Sequence, residues 1–134
     1  MGMGYPQDKE LDITFDEVKQ YVRKLPKAAI AGHCASAGSC LIAEALWTKL
    51  PGLERTTDDI YVQPDIENSL VTINVYKDDP RSARVHTIQG SEGYKLARLA
   101  YAFDSVGNVG DPVPQLVALG IMNAVEELTL AGYL

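Results

Sequence analysis

The chain has 134 residues, 46% hydrophobic and 22% charged, enough for one globular domain with its own core and too apolar for a disordered segment. Its formal charge of −6 excludes unassisted binding to nucleic acid, because neutralising phosphates requires clustered Lys and Arg. No apolar run approaches the roughly 20 residues that span a bilayer. The leading MGMGYPQDKE has neither a basic segment nor an apolar one, so a cytoplasmic protein without a membrane partner is expected.

Residues 1–12 are polar and aperiodic and are read as a flexible N-terminal arm, with a single α+β domain over 13–134. Thr14 and Glu17 form a capping box, and Phe15, Val18, Tyr21, Val22 and Leu25 mark one face of a first helix that Pro26 stops. Lys27 to Ala31 reads as a short extended segment. From Gly32 to Ser39 a loop of small residues enters a second helix, which Ser36 or Ser39 can cap. Leu41, Ile42, Ala45, Leu46 and Leu50 recur there at helical spacing, making it the central helix, and Pro51 and Gly52 end it.

The period then changes from helical to alternating. Ile60 to Val62 is β-rich, Val71, Ile73 and Val75 alternate with polar neighbours, and Ala83 to Ile88 alternates more weakly, with Asp78, Asp79 and Pro80 turning the chain between them. Short connections between these runs predict a three-stranded antiparallel meander. Ser91 or Gly93 opens a third helix carrying Leu96, Leu99, Ala100 and Phe103 on its buried side. Asp104 to Pro114 is a turn rich in glycine and proline, and Pro114 suits the first position of a fourth helix. That last helix is apolar nearly all round. Val117, Ile121, Ala124, Val125 and Leu128 make one face, and Leu116, Leu119 and Met122 a second, which predicts a homodimer through this helix. The fold class expected is α+β, with four helices around a small meander, and with helices two and four packed on one sheet face.

Several residues carry a resemblance. Leu25, Pro26, Ala31, Gly32, Cys40, Ala43 and Leu46 follow a Leu-Pro step, an Ala-Gly loop and a Cys-x-x-Ala-x-x-Leu helix, ahead of strands, a helix ending AYAFDSVG and a closing VPQLVALG. About 110 residues in this layout resemble a family of small, mostly uncharacterised bacterial proteins that includes a cyanobacterial calcium-binding protein without EF-hands. The resemblance implies calcium as a ligand.

Read on their own, the residues leave several chemistries open. His33, Cys34, Cys40 and His86 are the complete Cys and His inventory and could supply four zinc ligands, although their spacing matches no usual zinc motif. Cys40 near a helix N-terminus, with His33 or His86 as base, is the arrangement of a cysteine nucleophile. Otherwise Cys40 packs in the core and both cysteines stay reduced. Ser36 and Ser39 lack the context of a hydrolase elbow, and Gly32 and Gly38 lack that of a nucleotide loop. Asp104, Asn108 and Asp111, with carbonyls of the Gly107–Gly110 turn, are the leading calcium candidate. A second is Asp58 and Asp59, which flank the meander at the same end as Asp78 and Asp79. The function expected is a non-catalytic cytoplasmic binding or regulatory domain with calcium as candidate ligand. The alternatives are an enzyme using Cys40 and a Cys/His zinc protein.

Overall fold

A computed structural model describes residues 5–78 and 83–132. Asp8–Leu11 (α1) is a single turn inside the segment expected as an arm, and its Leu11 is fully buried. Thr14 caps Phe15–Lys24 (α2): its side chain accepts from the Glu17 N–H, and Glu17 reaches back to the Thr14 N–H. After Pro26 the chain runs through Ile30–His33 (β1), then into Leu41–Lys49 (α3). Cys40, rather than Ser36 or Ser39, takes the cap position of α3, because the two serine hydroxyls hydrogen-bond each other at 2.6 Å.

Asp58–Asp65 (β2), Leu70–Lys77 (β3) and Arg84–Ile88 (β4) form the expected antiparallel meander in the order β2-β3-β4. Ile60, Val62, Val71, Ile73, Val75 and Ile88 point inward. By register, Asp59, Tyr61, Asn74, Tyr76 and Val85 share the opposite, outer side. Gly90–Asp104 (α4) starts at Gly90, ahead of the two starts expected, with Gln89 at its cap.

Three features depart from the four-helix reading. There are five helices among the described residues once α1 is counted. Pro112–Pro114 (β5), within the expected turn, pairs antiparallel with β1 as a separate two-stranded ladder. Pro114 caps Gln115–Leu130 (α5) rather than opening it. The sheet is covered by α3 and α4, while α5 packs on α4, α2 and the small ladder. Helix α5 buries Gln115, Ala118, Met122 and Val125, a stripe at spacings of three and four. Met122, expected on a second, outward face, is therefore in the core.

Candidate functional site

Two loops meet beside the β1–β5 ladder: residues 34–40 after β1, and residues 105–111 between α4 and β5. The Cys34 N–H donates to the Asp111 carbonyl at 2.9 Å, and the Gly110 N–H donates to the Cys34 carbonyl at 2.8 Å. Asp104 at the end of α4 accepts the Ala35 N–H on Oδ1 at 2.8 Å, which holds Ala35 at a φ of 49°. That is left-handed backbone, which for a non-glycine residue stores on the order of 1 kcal/mol of strain. Asp111 Oδ2 accepts the Asn108 N–H at 2.8 Å, closing the turn on itself.

The leading calcium candidates are thus in one place, and each carboxylate already has work. Asp104 and Asp111 each give one oxygen to a backbone N–H, and among the described residues no group of three or more His, Cys, Asp or Glu could hold a metal ion. Burial pushes the Asp104 carboxyl up, with the Ala35 N–H acting against it. The Asp104 carboxylate thus ties the end of α4 to the loop after β1, while that of Asp111 braces its own turn.

The second candidate splits. Asp58 is 2% exposed and points inward, where Oδ2 accepts the Glu54 N–H at 2.8 Å and lies 3.5 Å from Lys77 Nζ. Asp59 faces the outer side. Asp58 and Asp78 do share one end of the meander, lining a cleft of about 450 Å³, but Lys77 lines it too and supplies the positive charge an acidic pocket would otherwise take from a cation. Asp79 lies outside the described residues.

Among the described residues the sulfur and imidazole groups form no cluster of three or more that could hold a metal ion. His86 on β4 has Nε2 3.2 Å from Asp12 and Nδ1 3.8 Å from Asp8, on the side of the sheet where α1 sits. Arg84 also binds Asp8, and its guanidinium holds that carboxyl below its ordinary range. The residues 8 and 12 that engage β4 belong to the stretch read from sequence as an arm, so no pattern pointed to them. His33 has a buried Nδ1 with no hydrogen-bond partner among the described residues, as does Gln115 at Oε1.

Both cysteines are free and buried. Cys34 Sγ donates to the Phe103 carbonyl at 3.4 Å, and burial, with the charges of Asp104 and Asp111, raises its pKa. Cys40 sits where a helix N-terminus favours a thiolate, yet burial outweighs the nearby amides of Ala43 and Ile42 and pushes it up to about 11. That shift works against use of Cys40 as a nucleophile at neutral pH. Native protein at pH 8 is expected to react with a thiol reagent far more slowly than unfolded protein, as absorbance of the released chromophore will show. Tyr21 is also raised, to about 12, chiefly by burial. Both groups are neutral below their ordinary values and bind protons more tightly when folded. Stability from this source is therefore intact below about pH 9 and falls as pH rises towards 11 and 12, which urea melts across that range will register.

What the surface offers instead lies on α5. Leu116, Val117, Leu128 and Leu130 are exposed, and no charged side chain occurs from Pro112 to Val125. Val106 shares a shallow pocket with Val117, and Val109 on the same loop is 81% exposed. The sequence reading found the helix but not its phase, and it missed the two valines. The one sequence signal for the outward side was Gly120, which has open space around it.

The chain matches no protein-family model, no curated protein and no solved structure.

Proposed function

We propose that this chain is a non-catalytic binding domain that acts as a homodimer through the outward side of α5. The observation that carries this is the charge-free run around Leu116 and Val117, exposed at 66% and 46%, with Val106 sharing a shallow pocket with Val117. An apolar area of that kind, at the surface of a domain of net charge −6, marks a contact surface. The raised thiol of Cys40 and the scattered Cys and His side chains support a binding role over a catalytic or zinc-dependent one. Two buried, unpaired cysteines also suit a reducing compartment such as the cytoplasm. Light scattering over a concentration series is expected to give a mass rising from 14.6 kDa towards twice that value, and Leu116→Glu to hold it at the monomer. A constant monomer mass for the parent protein would overturn the reading.

Calcium is a second reading, and one observation favours it. Asp104 is a partly desolvated carboxylate with no cation paired to it among the described residues, in a loop contact that also contains Asp111. The resemblance to a family with a calcium-binding member points the same way. With two charged ligands the affinity expected is weak, a Kd of about 10⁻⁴ to 10⁻³ M. Calorimetry should show heat with calcium that Asp104→Asn combined with Asp111→Asn abolishes. Equal heats in both proteins, or none in either, remove the site.

A further inference from the structure

Helix α5 carries a glycine at its middle that its own chain does not explain. Gly120 is exposed, a Cβ built on it meets nothing within 4 Å, and its φ is not in the left-handed region. A glycine inside a helix costs about 1 kcal/mol relative to alanine, so without a close neighbour it is pure loss to the monomer. Its place on the helix is specific. The buried stripe of Gln115, Ala118, Met122 and Val125 fixes the inward direction, and at 100° per residue Gly120 points directly away from it. Leu116 and Ala124 lie one turn to either side, with Val117 and Leu128 flanking.

We propose that two copies of α5 cross antiparallel at Gly120, about a two-fold axis through the glycines. This rests on the homodimer reading above and gives it a geometry. The occupant is a second copy because charge permits it there. Two chains of net charge −6 repel, but apposing residues 112–125 with themselves brings no carboxylates face to face. The antiparallel sense follows from the helix ends. The first turn of α5 has no acidic residue, and Glu127, on the outward side of its last turns, would lie beside the positive N-terminal end of the partner helix. A parallel pair would put the two Glu127 carboxylates together. Close approach at Gly120 also lets Leu116 of each copy reach over Ala124 of the other, large against small. Helix α5 is 16 residues, about 24 Å, and one outward side of a helix that length offers a contact at the small end of specific interfaces, hence a reversible dimer.

Two experiments test this. Gly120→Ala is expected to act in opposite directions: the folding equilibrium, read by urea at high dilution, shifts about fivefold towards the folded form, while the dimer dissociation constant rises about tenfold or more. A variant that folds better and dimerises as well as the parent overturns the crossing point. Leu116→Cys and Ala124→Cys proteins, mixed and oxidised, are expected to join mainly as the mixed 116–124 disulfide, identified by mass. Homodisulfides of Leu116→Cys alone would establish a parallel pairing and overturn the proposal. A parent that dimerises without either cross-link overturns the crossing while keeping the dimer; a monomeric parent overturns both.

Discussion

Replacing Gly93 with alanine is expected to cost about 3 kcal/mol of stability, at the upper end for overpacking a filled interior. Gly93 is buried in the first turn of α4, where the helix meets the sheet. An added Cβ would lie 2.4 Å from the Ile88 carbonyl oxygen and 2.8 Å from that of Ser69. Both are backbone atoms, so relief requires α4 to move off β3 and β4, and α4 bears Leu96, Leu99 and Phe103, all fully buried. Urea denaturation of Gly93→Ala against Gly52→Ala will measure this, since a Cβ at Gly52 meets nothing and should be close to neutral. Equal midpoints for the two would mean that α4 does not seat on the sheet at this glycine.

The second large effect is expected at Asp58. Removing one partner of a buried ion pair leaves the other charge uncompensated, and Asp58→Ala should cost about 3 kcal/mol. It would remove the carboxylate that, among the described residues, pairs with Lys77, whose side chain is 12% exposed, and would leave the Glu54 N–H without its acceptor. Asp58→Ala combined with Lys77→Met should recover part of the loss, because neither charge is then buried alone. An unchanged melt for Asp58→Ala would mean that the carboxylate is not needed to hold this end of the meander, returning it to the pool of ligands.

The local parts of this fold were legible in the sequence. The Thr14–Glu17 box needs only four residues, and the alternation through Val71, Ile73 and Val75 records one buried side of a strand. The nonlocal parts were not. In the β1–β5 ladder, β5 is only Pro112, Val113 and Pro114, two prolines about one valine, too short and too atypical to read as a strand. Helix α5 was visible as a helix, but an apolar sequence all round leaves its rotation undetermined, and its buried stripe includes a glutamine. The acidic residues show the limit most plainly. Sequence places Asp104 in a plausible cation loop, but not its hydrogen bond to Ala35, 69 residues away. It likewise cannot show that of two adjacent aspartates, Asp58 turns inward to Lys77 and Asp59 outward.

The outer side of the sheet is the main alternative contact surface, with Tyr61 and Tyr76 packed edge to face at 5.8 Å. Backbone amide chemical shifts recorded over a dilution series separate it from α5 without any mutation. Dimerisation through α5 predicts that the resonances of Leu116, Gly120 and Ala124 move with concentration while those of Tyr61, Asn74 and Tyr76 stay fixed. Movement confined to the sheet residues, or none on α5 at any concentration, would contradict it.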